Sequence, residues 1–386
     1  MKVLHVIPAL APRYGGPSVT VVRTSRALRG HGIDPLIAST DADGPGRLEV
    51  PLGVETTFEG EPAIFFRRVL SESYKYSPDL ASWLATSVSR FDCVHIHAVF
   101  SHSSLAAGRA SRAAAVPYVL RPLGSFDPWA LRRKSLPKAA LWHAGVGRLV
   151  RGAAAIHCTT DEERRLAEAS LGTLPCVVIP PGLDDEEPAA AAADDEERQA
   201  DRYVLALSRL HPVKGLELLI ECFLDAAADD AAASWRLVIA GDGDAAYVDR
   251  LRAIGRRHPA GSRVVFAGWL DGAAKVRVLR GASLFALPSH QESFGLSALE
   301  ALSHGVPVIL TEGVNLAPAV AAAEAGWVVP RDRVALAAVL IEAMRSPAER
   351  SRRGAQGRVL SEKYRWSSVA GQLADLYELI TVKCAA

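Results

Sequence analysis

A chain of 386 residues is long enough for two domains of ordinary size, each burying its own core. Its 44 basic residues nearly balance its 43 acidic ones, and a formal charge of +1 argues against a dedicated nucleic-acid binder. The five cysteines stand apart with no C-x-x-C pair, which fits a reduced cytosol better than a disulfide framework or a zinc site.

The first half alternates short apolar runs with amphipathic ones. Strands are predicted at 3–8, 35–39, 64–67, 93–97, 118–121, 155–158 and 177–179, with helices at 18–29, 78–89, 103–115 and 161–169. The opening run is short and soon followed by Arg13 and Gly15-Gly16, so it reads as a first strand and not as a signal peptide. No apolar stretch approaches the ~20 residues that span a bilayer. A second series of strands is predicted at 203–208, 236–240, 264–267, 284–287, 308–310 and 327–329. Between the two series, 184–201 read DDEEPAAAAADDEERQAD, a connector rich in acids and alanine with no apolar period. The end of the chain forms a last helix with Val369, Leu373, Leu376 and Leu379 on one face. This alternation argues for an α/β fold of two doubly wound parallel sheets. The predicted domains are 1–183 and 203–364, joined by 184–202 and followed by 365–386. Ligands of such sheets bind at the carboxyl ends of the strands, which places a cleft between the two domains.

The loops at those ends carry the chemistry. Gly15-Gly16-Pro17 follows the first strand, with Pro17 suited to the start of a helix; the glycines serve either a tight turn or the approach of a phosphate. His97 ends the fourth strand, where it either touches a sugar or is satisfied by neighbouring backbone. Arg121 ends the fifth. From Pro128 to Thr160 there is no acid, while Arg132, Arg133, Lys134, Lys138, Arg148 and Arg151 are present together with Trp129 and Trp142. That segment suits either an anionic membrane face or plain solvent.

In the second half, Arg209 and Lys214 follow the strand at 203–208. An arginine can fork onto two phosphate oxygens, and a lysine adds a compact charge. Gly241-x-Gly243-x-x-Ala246 after the next strand matches a dinucleotide loop and raises the alternative of a nicotinamide or flavin oxidoreductase; the acid expected about twenty residues on has no clean counterpart. Trp269, just after the strand at 264–267, serves either a ligand or the core. Residues 283–312 read SLFALPSHQESFGLSALEALSHGVPVILTE, a strand, a loop, a helix stopped at His304-Gly305, and a strand. The amino end of that helix offers unpaired N–H groups and about half a positive charge, which suits a phosphate. Gly295 lets a ligand come close, and Glu292 and Glu300 bracket the spot. No clustered Asp/His set that would hold a metal is visible.

Glu292-Ser293-Phe294-Gly295, Glu300-Ala301 and Gly305-x-Pro307-Val308-Ile309 together resemble the signature of the retaining GT-B glycosyltransferases of family 4. The stretch 203–215 resembles the strand and loop that carry this family's arginine and lysine, and the resemblance covers essentially the whole chain. It implies two Rossmann-like domains facing a central cleft, and transfer of a hexose from a nucleotide-diphosphate sugar to a sugar hydroxyl, with retention and with no cofactor or metal. Glu292, Arg209 and Lys214 are then expected to be catalytic. Gly15, Gly16, Gly241, Gly243, Trp269, Phe294, Gly295, Leu296 and Glu300 are expected to bind the donor, with His97 and Arg121 on the acceptor side. The segment 121–131 resembles a subgroup that builds bacterial surface polysaccharides, so a lipid-linked polysaccharide or glycolipid acceptor is expected. Many relatives carry a histidine before Gly124; Leu123 stands there, and no role for a histidine carries over. The cysteine usage leads us to expect a cytoplasmic protein, and the membrane reading of 128–151 would make it peripheral on the inner face of the plasma membrane. A catalytically silent nucleotide-sugar-binding protein is the other alternative.

Overall fold

The structure, a computed structural model, describes residues 1–70, 72–127, 130–131, 135–184, 202–227, 229 and 232–385, without the side chains of 135 and 383–385. Most of the predicted connector lies outside the described residues, as do Trp129, Arg132, Arg133 and Lys134 of the basic segment. The chain forms two compact units, Met1–Asp184 with Trp366–Ala386, and Asp185–Arg365.

The first unit is built on β1 (Lys2–Ala9), β2 (Asp34–Thr40), the small hairpin β3 (Ala42–Asp43) and β4 (Gly46–Arg47), β5 (Glu55–Phe58), β6 (Glu61–Phe66), β7 (Cys93–His97), β8 (Tyr118–Arg121), β9 (Ala155–Cys158) and β10 (Cys176–Val178). Its main sheet runs β10-β9-β8-β7-β1-β2-β6-β5, parallel throughout except where β5 turns back on β6. The helices are α1 (Gly16–Arg29), α2 (Pro78–Ser87), α3 (His102–Ala113), α4 (Ser135–Leu141), α5 (Gly147–Arg151) and α6 (Asp161–Leu171). Side-chain alternation divides the sheet cleanly. Leu4, Val6, Ile96, Leu120 and Ile156 enter the core on one face, while Val3, Cys93, Val119 and Ala155 enter a second core on the other. Helix α6 begins where Thr160 accepts from the Glu163 N–H at 3.0 Å, and three acids in its first turn complement the helix dipole.

The second unit contains β11 (Tyr203–Leu207), β12 (Arg236–Ala240), β13 (Val264–Gly268), β14 (Leu284–Leu287), β15 (Val308–Thr311) and β16 (Gly326–Val329). Its six strands are all parallel in the order β13-β12-β11-β14-β15-β16. This is the nucleotide-binding order, in which the chain winds one way from β11 and the other way from β14. Among the described residues its helices are α7 (Leu216–Ala226), α8 (Ala245–Arg256), α9 (Gly272–Gly281), α10 (Leu296–Ser303), α11 (Ala317–Ala322), α12 (Arg333–Arg345) and α13 (Pro347–Glu362). The last helix, α14 (Trp366–Ala385), belongs to the first unit. There Trp366, Val369, Leu373, Tyr377 and Ile380 fill the core against Val3, Cys93 and Val119. Leu379, placed by sequence on the apolar face, is instead 52 % exposed. No described helix is long and apolar enough to cross a membrane.

Candidate active site

In the second unit the switch point lies between β11 and β14, which pair at Val204–Leu284 and Leu205–Phe285. The loops leaving their carboxyl ends are stitched together. The His290 N–H donates to Val213 C=O at 2.8 Å, and Lys214 donates to Glu292 Oε2. That ion pair is largely shielded, with 15 % and 19 % of the two side chains exposed. Arg209 stands exposed on the same loop, and its side chain makes no hydrogen bond or ion pair among the described residues. Arg331, at the end of β16, is a further cation beside this loop; burial and the Arg331 charge hold His290 below its ordinary pKa. Sequence reasoning did not single out Arg331.

Glu292 is fixed by its backbone as well as by Lys214. Its N–H donates to Gly313 C=O at 2.8 Å, and its C=O accepts from Asn315 N–H at 3.0 Å. The loop after β15 therefore supports the acid, which the sequence did not reveal because the two stretches share no motif. Gly295 caps α10 with φ +103°, and a Cβ there would approach Val314 Cγ1 at 3.0 Å. The far end closes with paired bonds, Gly305 N–H to Leu302 C=O at 2.8 Å and Val306 N–H to Ala301 C=O at 3.0 Å. Glu300, 9 % exposed, is not a solvated surface acid: Lys275 of α9 donates to it at 2.7 Å. Lys275 is 25 residues away in sequence and carries no signal of its own.

The structure explains the glycine loop after β12 differently from a dinucleotide fingerprint. A Cβ at Gly241 would lie 1.9 Å from the Ser208 carbonyl oxygen, and one at Gly243 would lie 2.1 Å from that of Leu210. These glycines let the Arg209 loop pass against the β12 loop, where Leu210 N–H meets Asp242 C=O at 2.8 Å. Trp269 is 48 % exposed, which removes the core alternative. Phe294 is 5 % exposed and meets Tyr364 edge to face at 5.6 Å, so its ring belongs to the core and only its backbone is open to a ligand role. Leu296, half-buried, opens α10.

In the first unit, Gly15 caps α1 at φ +77°, and a Cβ at Gly15 or Gly16 would meet nothing within 4 Å. His97 does not project from its strand. It is 1 % exposed, and its Nε2 pairs with His5 Nδ1 at 3.1 Å, a side chain and not the neighbouring backbone. The sheet register sets His5 opposite His95 and His97 opposite Arg121, with His157 on β9 beyond. The protonation of most of this row follows from one fixed acceptor. The Ile179 carbonyl can only accept, so His157 Nε2 donates to it at 2.7 Å; His157 Nδ1 then accepts from His95 Nε2 at 3.2 Å. His95 Nδ1 is left to accept from the Tyr377 hydroxyl at 2.7 Å. Burial, reinforced by the Arg121 charge, lowers His5 and His157 to about 3 and holds His95 and His97 well below the ordinary range.

Ligand-capable atoms of His5, His95 and His97 lie within 4.8 Å of one another, a grouping that the sequence reading did not see. The residues fit a metal poorly. Both His95 nitrogens are engaged in the chain just traced, and a divalent ion would sit in the field of the Arg121 guanidinium, which acts on all three rings.

Comparison with known proteins bears on the family and the fold. Residues 190–359 match the family described as glycosyl transferases group 1, and residues 15–182 match the glycosyl transferase 4-like domain. The chain belongs to the group 1, family 4 glycosyltransferases. The D-inositol 3-phosphate glycosyltransferase of Jonesia denitrificans is 27% identical to this glycosyltransferase, over 98% of this chain and 95% of that one. The GDP-mannose:cellobiosyl-diphosphopolyprenol alpha-mannosyltransferase of Komagataeibacter xylinus is 27% identical, over 98% and 93%. Among solved structures, Anabaena HepE in complex with UDP-glucose superposes with a TM-score of 0.78 at 19% identity, covering 98% of this chain and 99% of that one. The fold is GT-B, and the transferase reading stands over the oxidoreductase and the silent binding protein.

Proposed function

We propose that this glycosyltransferase moves a hexose from a nucleotide-diphosphate sugar to a hydroxyl of a lipid-linked glycan or glycolipid, with retention of anomeric configuration and without a metal. The observation that carries this reading is that Arg209 and Lys214 share the loop after β11, Lys214 pairs with Glu292 across the switch point, and the Glu292 loop leads into the amino end of α10. The leaving diphosphate gains charge as the sugar bond breaks, and two cations and a helix end are placed to stabilise it. Glu292 orients the sugar, Glu300 holds the ribose, and Trp269 lies beside the base. Gly15 and Gly16 leave room for a phosphate at the start of α1. The departing phosphate itself takes the acceptor proton on the front face, because neither strand-end candidate of the first unit suits a base: His97 is buried, hydrogen-bonded and hard to protonate, and Arg121 is a guanidinium. The donor class follows the mannosyltransferase and HepE, whose names carry GDP-mannose and UDP-glucose.

The basic segment supports peripheral contact with an anionic membrane. Of its described residues, Leu136 is 83 % exposed and Lys138 lies 5.3 Å from the centre of the Phe100 ring. The test of the whole reading is incubation with UDP-, GDP- and ADP-sugars in excess EDTA, followed by NMR of the first product. Sugar transfer with an α-product from an α-donor supports the reading. A β-product overturns retention, and a strict need for Mg²⁺ or Mn²⁺ overturns the metal-free mechanism.

A further inference from the structure

Arg121 is a buried cation with no direct ion-pair partner among the described residues. Strand alternation turns it to the face that carries the histidine row, where it is 5 % exposed. Among the described residues no hydrogen bond or ion pair reaches its guanidinium, and its Nε is fully enclosed without a partner. The one carboxylate in its field is Glu163. Both Glu163 oxygens are already engaged: Oε1 accepts from Gly124 N–H at 2.8 Å, and Oε2 from the Thr159 N–H and hydroxyl, each at 2.7 Å. The other titratable neighbours are His5, His95, His97, His157 and the Tyr377 phenol, all uncharged, so none of them supplies an anion. His5 Nε2 is likewise enclosed and unpartnered. A protein interior rarely leaves a guanidinium and its donors unanswered in this way.

The backbone around Arg121 is also unusual. Ala98 and Leu123, just beyond the ends of β7 and β8, take left-handed φ values of 71° and 54° although neither is glycine. They are coupled to the arginine, since Ala98 N–H donates to Arg121 C=O at 2.9 Å. Such conformations gather where a ligand site holds the chain. The first sheet also has its switch point here, between β1 and β7.

We propose that Arg121 is the receptor for an oxyanion, a phosphate or carboxylate carried by the acceptor and gripped by the two-pronged guanidinium beside His97. Assigning that anion to the acceptor rests on the transferase reading; the anion site itself does not. The shared chemistry has two sources, a phosphate ester or a uronate, and the test separates them.

The full chain is titrated calorimetrically with inorganic phosphate, myo-inositol 1-phosphate and glucuronate, with myo-inositol as the neutral control. The same series is run on Arg121→Met and on Arg109→Met, which removes an exposed charge from the same unit. At least one anion binds the wild type, and its affinity falls about 10- to 100-fold in Arg121→Met. It stays within about twofold in Arg109→Met, because exposed charges are screened. Preference for the phosphates or for glucuronate identifies the source. Equal binding of the neutral sugar, or anion binding indifferent to Arg121→Met, overturns the proposal. A second readout is thermal: without ligand, Arg121→Met melts at or above the wild-type temperature, because it removes a buried charge that Glu163 compensates only from a distance. A lower melting temperature, or failure to fold, shows that the protein itself compensates the guanidinium and overturns the proposal. Arg121-dependent anion binding in a protein that transfers no sugar defeats the transferase reading alone.

Discussion

Lys214 donates a hydrogen bond to Glu292, tying the loop after β11 to the loop after β14 across the switch point of the second sheet. Each group thereby holds the other in place. The lysine keeps the acid in a fixed orientation, and the acid keeps the ammonium at the spot proposed for the diphosphate. Glu292→Gln retains a hydrogen-bonding oxygen for Lys214 but removes the charge expected to face the sugar. Turnover should fall by roughly 10² or more, with nucleotide affinity nearly intact. Single-turnover kinetics beside nucleotide calorimetry would show it, and near-normal turnover would remove Glu292 from the mechanism.

Glu300 and Lys275 should act through donor affinity. Glu300→Ala removes a charge-assisted hydrogen bond worth about 1.5–3 kcal/mol, so donor KM should rise more than kcat falls. Lys275→Ala should shift the same parameter in the same direction, because the carboxylate then loses the partner that orients it. A loss confined to kcat at saturating donor would contradict the ribose placement.

The histidine row predicts an early onset of acid destabilisation. His5 and His157 titrate near 3 in the folded chain and near 6.5 once unfolded. Above about pH 6.5 both states hold neutral rings, and their contribution to stability is fully present. Below it only the unfolded chain takes up protons, so stability falls by up to ~1.4 kcal/mol per pH unit for each such ring until pH approaches 3. Melting temperature should already decline between pH 6.5 and 5, above the ordinary carboxylate range. His5→Gln should flatten that decline. A wild-type melting temperature level over this interval would refute the argument.

Gly241→Ala should destabilise the second unit even though alanine is small. The added carbon meets the Ser208 carbonyl oxygen at 1.9 Å, and the site holds φ +134°. Overpacking of this kind costs about 1–3 kcal/mol. Scanning calorimetry should show a lower transition for that unit, and an unchanged melting profile would mean the two loops do not pack as described.

Much of this fold could be read from the chain. The strands at 93–97, 118–121, 155–158, 236–240 and 284–287 have the same bounds in sequence and structure, because a buried parallel strand is a short apolar run with sharp ends. The edge strand β5 escaped, since Glu55-Thr56-Thr57-Phe58 is polar and half exposed and is recruited only by β6. The stretches bearing Arg209, Lys214, Glu292 and Glu300 were legible because the first three lie on loops that follow directly on a strand and Glu300 lies in the helix that comes next. Their partners were not: Lys275, Gly313 and Asn315 reach them through space. The histidines show the same limit. His95 and His97 announce themselves as neighbours, but His5 and His157 join them from 92 and 62 residues away through sheet register alone.

The placement of α14 has a consequence for biosynthesis. The second unit is one unbroken length of chain and can fold as soon as it leaves the ribosome. The first unit cannot finish, although it is made first, because its second core needs Trp366, Leu373 and Ile380, and His95 needs the hydroxyl of Tyr377. Its sheet must wait with one apolar face open while more than half of the protein is translated. A nascent chain stalled anywhere before residue 366 should therefore bind chaperones through its amino-terminal half, whatever the state of the second unit.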